Sequence, residues 1–520
     1  MSIEGPRQGL SEPVFLLRFS KVLRVAIVAL SALFALLFLY AAAHRMYFPY
    51  EVEWIESGVL VSVLRIVHGQ GIYVAPTADY VAYLYAPLYF YLSAAIMKFA
   101  GAAGHGYAAL RLLSTLSTLG TFAAIYALVR TETRRHLPAI AAAGLYAACY
   151  PILGLFYDTG RVDALFVFLM LLALLAQRRG YPVLAAVLWA IVFQTKQSVL
   201  PLATIILCAE WQRPRKMVAA LVTFFVIVAV SLLGFNHITG GWYGFYMFHI
   251  AGGLPIVPRQ LILFWPFVLL PMAIAWTLIL GSLWLAPVRL RNSHTQLYLL
   301  ASLAIYPGFW FVASHDGASA NADMPVFAFT AVLFGIALAR LLDWADITDA
   351  LQAQVLLMIA VTVQLFALLY NPGRYVPTHA SVILGQQFID QVRDIPGDVY
   401  VFNHSYDAIL AGKQPHAEGE ALRAVLNAGG PVASQLRAEV DAALAAHRYS
   451  AIVVDVGTPS GDWLPFTQDY PQAVSSASDG LAFLTSKPHW FLLPCSASIT
   501  EVHQSKPEGT VLVPGTCSPR

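Results

Sequence analysis

The stretch VAIVALSALFALLFLYAAA, which runs from Val25 to Ala43, decides the fold class. It contains no charged side chain, and a helix of this length can cross the roughly 30 Å hydrocarbon core of a bilayer. No small-residue cleavage site follows it, so we expect an uncleaved first membrane span. Four basic residues precede it and predict a cytoplasmic amino terminus by the positive-inside rule: Arg7, Arg18, Lys21 and Arg24.

The composition of the whole chain agrees with this start. Of 520 residues, 58% are hydrophobic and 12% are charged, which is about half the charged share of a typical soluble domain. A soluble protein with a single core is therefore excluded. The formal net charge is only +2, without a basic field that would attract nucleic acid, so we expect no nucleic-acid partner.

Further apolar segments alternate with short polar breaks along the chain. They predict membrane spans near 107–129, 137–156, 162–177, 181–194, 198–210, 217–235, 261–286, 296–313, 324–342 and 351–370. The segment from Tyr85 to Ala100 is short and contains Pro87, so we interpret it as an interfacial or half-inserted helix of the first outer loop. The basic residues of alternate breaks then fall on the inner side. The sequence thus predicts an α-helical polytopic protein of the inner (plasma) membrane, with about 11 transmembrane helices.

The composition changes after Tyr370, where no apolar run is long enough to span a membrane. We therefore predict a transmembrane domain over 1–370 and a C-terminal α/β domain over 371–520. Eleven crossings would place the second domain outside the cytoplasm.

Several segments of this tail have a recognisable local pattern. Val399 to Phe402 and Ala451 to Val456 are predicted to be buried strands, and Val432 to Ala446 a helix. Export of the tail would favour a disulfide bond between Cys495 and Cys517.

Three acids follow the first predicted span in the stretch YEVEWIES, residues 50–57. A carboxylate beside the membrane can act as a general base that removes the proton of an attacking hydroxyl group. Glu51, Glu53 or Glu56 can be this base, and the others can serve as supporting acids or as ligands of a bound ion. The other interpretation is a solvated loop at the membrane surface, where acids are common.

Basic residues also lie at the mouths of later predicted spans. Arg161 stands between Asp158 and Asp163, and can form structural ion pairs or bind a phosphate. Lys196, in the polar hinge QTKQS at 194–198, can hold a phosphate as a point charge or extend towards the interface. We expect Lys196 and Arg161 to bind one phosphate group together, which in the family described below would be that of the donor.

The outer break at 314–323 adds His315, Asp316 and Asn321 as supporting polar residues on the same face. One histidine and two aspartates without diagnostic spacing do not define a metal site. We therefore assign no metal ligands, and a divalent cation is neither required nor excluded as a cofactor. The sequence contains no phosphate-binding glycine-rich loop, which disfavours nucleotide-driven pumping.

The order of several short motifs resembles that of a known superfamily. After the acids of the first loop, GQGIY at 69–73 and YAPLYFY at 85–91 resemble the first outer loop of the C-type (GT-C) glycosyltransferases. The similarity is to the group of family 39 protein O-mannosyltransferases and lipid A aminoarabinose transferases, and it continues in GRVDA at 160–164 and in Thr195-Lys196. The sequence departs from the family at Gln197, where a glycine is expected, and in having Glu where an Asp-Glu pair is often found. The second departure leaves the base open among Glu51, Glu53 and Glu56, and we favour Glu53 because it lies closest to the distance from the first span that the resemblance implies.

This resemblance implies an integral membrane glycosyltransferase. It would move a hexosyl or pentosyl group from a polyprenyl-phosphate-linked donor to a lipid, glycan or protein acceptor on the extracytoplasmic side, with an outer-loop glutamate as general base. The segment at 399–413 resembles the extracytoplasmic domain of bacterial members. The alternative is a transporter or flippase of a lipid-linked saccharide. Transporters carry ionisable residues or broken helices at mid-membrane, whereas here the ionisable residues gather at one mouth, which favours the enzyme.

Overall fold

The computed structural model describes residues 12–99, 106–285, 293–455, 466–475, 488–495 and 512–513. Most of them are helical. The α-helices are α1 (Glu12–Met46), α2 (Glu56–Val67), α3 (Leu88–Phe99), α4 (Ala108–Thr133), α5 (His136–Ala148), α6 (Asp163–Arg178), α7 (Pro182–Phe193), α8 (Val199–Leu207), α9 (Pro214–Ile238), α10 (Trp242–Gly244), α11 (Ala251–Gly253), α12 (Pro258–Leu269), α13 (Ala273–Leu285), α14 (Ser293–Ala313), α15 (Met324–Ile347), α16 (Leu351–Ala367), α17 (His379–Asp394), α18 (Ser405–Leu410), α19 (Gly419–Ala428), α20 (Gly430–Ala445) and α21 (Phe466–Asp469). Short 3₁₀ and π turns lie at Cys208–Glu210, Phe245–Ile250, Ala320–Asp323 and Pro372–Tyr375.

Each segment that the sequence predicts to span the membrane contains a helix, but several of these helices are short. Among the described residues, five helices are long and apolar enough to cross a bilayer, or up to seven if each of two bent helix pairs is one span. α5, α7 and α8 have 13, 12 and 9 residues. At about 1.5 Å per residue they fall well short of the roughly 30 Å that a span requires. The multi-pass membrane character is thus confirmed, the count of eleven is not, and the side on which each terminus lies stays a prediction.

A five-stranded sheet lies in the last quarter of the chain, with the strand order β1-β2-β4-β3-β5. The strands are β1 (Val399–Val401), β2 (Ala451–Asp455), β3 (Gln472–Ser475), β4 (Pro488–Leu493) and β5 (Leu512–Val513). β1 and β2 pair in parallel, and the other pairs are antiparallel. β1 and β2 are short, almost wholly apolar and fully buried, which is the pattern that predicts them. These two strands and α20 are confirmed, while a domain boundary at 370 stays a prediction.

The predicted disulfide bond lies partly outside the described residues. Cys495 is disulfide-bonded. Cys517 is not among the residues that the structure describes.

The first outer loop packs into the same core as the sheet. Phe48, Tyr50 and Val52 join a buried apolar cluster with side chains of α17, β1, β2 and β4. A Cβ atom at Gly385 in α17 would collide with the ring of Tyr50, so this docking needs a glycine there. Because every second residue from 48 to 52 is anchored in this way, the neighbouring acids have defined partners.

Candidate active site

A cavity of about 380 Å³ lies where the first outer loop, the mouths of α6 and α8, the loop before α15 and helix α19 meet. One part of its wall is apolar and another carries polar and charged groups. The polar and charged lining residues include Tyr83, Tyr85, Arg161, Lys196, Gln197, His315, Asp316, Asn321, Glu420 and Arg423. Five of the residues that the sequence singled out therefore lie around one space.

Arg161 and Lys196 supply positive charge to one region of this wall. Arg161 is buried, and its Nη1 donates to Glu53 Oε1 at 2.7 Å while its Nη2 donates to the Tyr85 hydroxyl at 3.0 Å. Lys196 forms an ion pair with Asp163, which also accepts a hydrogen bond from Asn321 Nδ2 at 2.9 Å. The carboxylate of Asp163 thus holds both cations, since Arg161 Nε lies 3.3 Å from its other oxygen.

Glu53 lies behind Arg161 and does not itself line the cavity. It is buried, and its Oε2 accepts a hydrogen bond from the Ile55 backbone N–H at 3.1 Å. Burial raises the pKa of Glu53 to about 7, although the Arg161 guanidinium opposes this shift. A carboxyl group with this pKa can take up and release a proton near neutral pH.

Glu56, three residues further on, accepts hydrogen bonds at both of its carboxylate oxygens. It begins α2 and accepts two hydrogen bonds from Arg111, from Nε at 2.9 Å and from Nη2 at 2.7 Å. The backbone N–H groups of Val52 and Gly160 also donate to it, at 3.0 and 2.7 Å. A Cβ atom at Gly160 would lie 2.9 Å from the Glu56 side chain, so the glycine of the GRVDA motif permits this approach. Both Glu56 oxygens are therefore occupied in fixing the loop.

Arg111 holds the first outer loop in place, and it is not singled out in the sequence analysis. Besides Glu56, it donates to the backbone carbonyls of Arg45, Phe48 and Tyr50 at 2.7–2.8 Å. An arginine inside a predicted apolar span was the available signal, because a charge at such a position needs a partner.

Asp158 pairs with side chains that do not line the cavity. It forms a buried ion pair with Arg45 at 3.2 Å and accepts a hydrogen bond from the Tyr150 hydroxyl at 2.8 Å. It does not line the cavity, and its contacts fasten the loop before α6 to the end of α1.

Helix α19 adds two cavity residues that the sequence reasoning also missed. Arg423 donates to Asp316 Oδ2 at 2.8 Å and forms an ion pair with Glu420. His315 donates from Nδ1 to the Phe311 carbonyl at 2.8 Å. Desolvation raises the pKa of Glu420, with Arg423 opposing the shift. The tail of the chain thus contributes one carboxylate, Glu420, and one cation, Arg423, to the cavity wall.

Glu51 points away from the cavity, towards the tail. It is fully buried and contacts His404, which precedes α18. Ligand atoms of Glu51, His404 and Asp407 lie within 4.8 Å of one another, an arrangement compatible with a divalent cation. The signal for His404 and Asp407 was a histidine and an acid directly after a buried strand, in the stretch FNHSYD at 402–407.

Comparisons with solved structures give the fold a context. No protein-family model matches the chain, and no curated protein matches it. ArnT from Cupriavidus metallidurans in the apo state has a TM-score of 0.57 and 14% identity, covering 89% of this chain and 97% of ArnT. ArnT bound to undecaprenyl phosphate has a TM-score of 0.52 at 14% identity, covering 82% and 92%. The archaeal oligosaccharyltransferase AglB from Archaeoglobus fulgidus, in complex with an inhibitory peptide and a dolichol-phosphate, has a TM-score of 0.54 at 12% identity, covering 88% and 73%.

At these identities the likeness is one of fold. ArnT and AglB are both members of the GT-C superfamily. The fold that the sequence resemblance implies is thereby confirmed: this chain has the fold of the C-type glycosyltransferases.

Proposed function

We propose that the protein is a membrane glycosyltransferase that moves a hexosyl or pentosyl group from a polyprenyl-phosphate-linked donor to an acceptor on the extracytoplasmic side. The observation that carries the proposal is the meeting of Arg161 and Lys196 at one cavity, with the carboxylate of Glu53 directly behind Arg161. Phosphate is the anion that two cations at the mouth of membrane helices suit best.

The wall of the cavity fits a ligand with an anionic head and an apolar chain. Its charged region contains the two cations, and a second region is apolar. The apolar lining includes Pro201, Leu202, Ile250, Leu254, Phe311 and Val312. The folds of ArnT, solved with undecaprenyl phosphate, and of AglB, solved with a dolichol-phosphate, support the same class of donor.

In the proposed reaction, the acceptor hydroxyl loses its proton to Glu53 as its oxygen attacks the anomeric carbon of the sugar. The bond between that carbon and the phosphate oxygen breaks, and polyprenyl phosphate leaves with its charge held by Arg161 and Lys196. Because a bound phosphate competes for Arg161, donor binding would loosen the Arg161–Glu53 pair and expose the base. Asp163 and Asn321 position Lys196, while Asp158 and Glu56 hold the loops that carry Arg161 and Glu53.

Glu420 and Asp316 are alternative bases, because they line the cavity and Glu53 does not. Both are paired with Arg423. This cation favours their ionised form, but it also occupies the carboxylate oxygens that would have to accept the proton. Burial raises the pKa of both Glu53 and Glu420, so the pKa does not separate them. We retain Glu53 because its cation partner is Arg161, which a donor phosphate would draw away from its carboxylate.

The test uses the purified full chain in detergent with a radiolabelled polyprenyl-phosphate sugar. Detergent removes any compartment, so a transporter or flippase would leave the donor unchanged, whereas the proposed enzyme releases polyprenyl phosphate and glycosylates an added acceptor. Lys196→Met should raise the apparent dissociation constant of the donor roughly 10- to 100-fold, since a charged hydrogen bond contributes about 1.5 to 3 kcal/mol.

The matched control is Lys98→Met, which removes an exposed lysine of α3 far along the chain from these groups. Donor affinity should be unchanged in this variant. Equal donor affinity in Lys196→Met and the parent protein would remove Lys196 from the phosphate site. An intact donor after incubation with the full set of lipid, glycan and peptide acceptors would remove the transferase assignment.

A further inference from the structure

A second group of buried ionisable side chains lies between the first outer loop and the tail. It contains Glu51 of the loop, His404 after β1 and Asp407 of α18, each with no more than 4% of its surface exposed. None of the three lines the cavity of the candidate active site. The group therefore needs an explanation of its own.

The hydrogen-bond pattern of His404 shows which ring nitrogen carries a hydrogen. Nε2 lies 2.7 Å from Asp455 Oδ1, and a carboxylate can only accept, so Nε2 is the donor. Nδ1 of the neutral ring then presents a lone pair, and this atom contacts Glu51 Oε1. Two acceptors in contact inside a buried site repel each other, so a positively charged species belongs between them.

A proton and a metal ion differ in how many of these acceptors they satisfy. A proton on Nδ1 would serve one oxygen of Glu51. Within the described part of the chain, it would leave the other Glu51 oxygen and Asp407 Oδ1 without a hydrogen-bond donor, which is costly for buried carboxylates. A divalent cation can be coordinated by all three residues at once, through one ligand atom each from Glu51, His404 and Asp407. These three ligand atoms lie within 4.8 Å of one another.

Charge and orientation point in the same direction. Glu51, Asp407 and Asp455 carry three negative charges, which a doubly charged ion balances better than a single imidazolium. A histidine whose second nitrogen donates to a carboxylate is the usual arrangement at protein metal sites, and Asp455 supplies that carboxylate here. Asp455 is itself held by Asn403 Nδ2 at 2.8 Å.

We propose that Glu51, His404 and Asp407 bind a divalent ion of the Zn²⁺ class, with Asp455 orienting His404, and that this ion fastens the first outer loop to the tail. One imidazole nitrogen with two carboxylates suits Zn²⁺, whereas Mg²⁺ prefers oxygen ligands and retained waters. The site goes beyond the proposed sugar transfer, because it concerns how the loop that carries Glu53 is held and does not depend on any donor.

The experiment uses tag-free full-length protein in detergent, stripped with EDTA and dialysed against Zn²⁺ in the presence of excess Mg²⁺. Metal analysis of the wild-type protein should find one Zn²⁺ per chain, and the thermal midpoint should rise on loading. Glu51→Gln keeps the shape of the side chain and should lose most of the bound Zn²⁺, as should His404→Ala. Asp455→Asn should weaken Zn²⁺ binding roughly 10- to 100-fold.

The matched control is His416→Ala. His416 is also buried and also joins the first outer loop to the tail, with its ring nitrogens 2.8 Å from Asp79 and 3.0 Å from Asp398. Because these carboxylates are partly exposed, and His416 belongs to no described group with metal-ligand spacing, the variant should keep its Zn²⁺.

Two results would overturn the site. Wild-type protein that holds no Zn²⁺ after dialysis, with a thermal midpoint indifferent to EDTA, would assign the contact between His404 and Glu51 to a shared proton. Zn²⁺ retained at full stoichiometry in both Glu51→Gln and His404→Ala would place the ion elsewhere. Neither outcome depends on transferase activity, so the metal site and the proposed function can fail separately.

Discussion

Two buried polar clusters flank the first outer loop, and they differ in their balance of charge. Beside the cavity, each acid has a cation, with Glu53 on Arg161 and Asp163 on Lys196, and both cations face the cavity. Towards the tail, acids outnumber the single histidine and several oxygens have no donor among the described residues. The first cluster is balanced, but its cations face open space and can bind an anion there, whereas the second lacks positive charge and is suited to a cation.

The comparison teaches that residue type alone does not assign a role within this loop. Glu51, Glu53 and Glu56 lie within six residues. Glu51 faces a histidine and an aspartate, Glu53 faces a guanidinium that lines the cavity, and Glu56 faces a fully hydrogen-bonded arginine. Contacts with residues that are distant in the sequence give these three glutamates different environments. The predictions below test that difference.

The largest effect is expected at the base. Glu53→Gln keeps the shape and most hydrogen bonds but removes the basic oxygen, so turnover should fall by about 10² to 10⁴. Donor affinity should change little, because Arg161 and Lys196 remain. Steady-state kinetics and donor binding on the same preparation measure both. Near-normal turnover in Glu53→Gln would show that Glu53 does not remove the proton, even if Arg161 and Lys196 bind the phosphate.

The next effect concerns stability, at Glu56. Glu56→Gln leaves the buried guanidinium of Arg111 without its counter-charge, which should lower the free energy of unfolding by about 3 to 5 kcal/mol. Asp390→Asn is the matched control, since it breaks a half-exposed pair with Arg393 that should contribute less than about 1 kcal/mol. Chemical denaturation in detergent compares the two. Similar losses in both variants would contradict the structural role given to Glu56.

The sequence sufficed for the parts of the molecule that depend on local pattern. The length of the apolar runs located the helices of the membrane segments. Short apolar runs rich in β-branched residues located β1 and β2. The count of eleven crossings is not confirmed, because α5, α6, α7 and α8 are apolar but have only 9 to 16 residues, and hydropathy does not measure how far a helix extends.

The partners of the acids could not be predicted, because they are set by tertiary packing. Glu56 pairs with Arg111 and Glu51 with His404, and in each case the partner lies in a different element far along the chain. A charge inside an apolar run, such as Arg111, is the one local signal that a buried partner exists. The grouping of Arg161 and Lys196 was accessible from sequence because each lies at a helix mouth on the same predicted face.

The pH dependence gives a smaller effect with a defined sign. Glu53 acts as a base only when ionised, and its pKa is raised to about 7 by burial. The value of kcat/KM should therefore fall about tenfold per pH unit below 7 and level off above it. A rate profile between pH 5 and 9 checks this limb, which should disappear from the residual activity of Glu53→Gln. A flat wild-type profile through this range would contradict Glu53 as the titrating base.

The smallest effect is expected at Glu420, and it is the sharpest test of which acid removes the proton. Glu420 lines the cavity, and 24% of its side chain is exposed beside its partner Arg423. Because solvent in the cavity screens this ion pair, its loss should lower the binding free energy by about 1 kcal/mol or less. Glu420→Gln should then reduce kcat by less than about 5-fold, with any change appearing mainly in the apparent affinity for the acceptor. Comparison of kcat and KM for donor and acceptor separately measures this. A loss of about 10² or more in Glu420→Gln, with Glu53→Gln near normal, would transfer the base from the first outer loop to α19 and leave the phosphate-binding role of Arg161 and Lys196 in place.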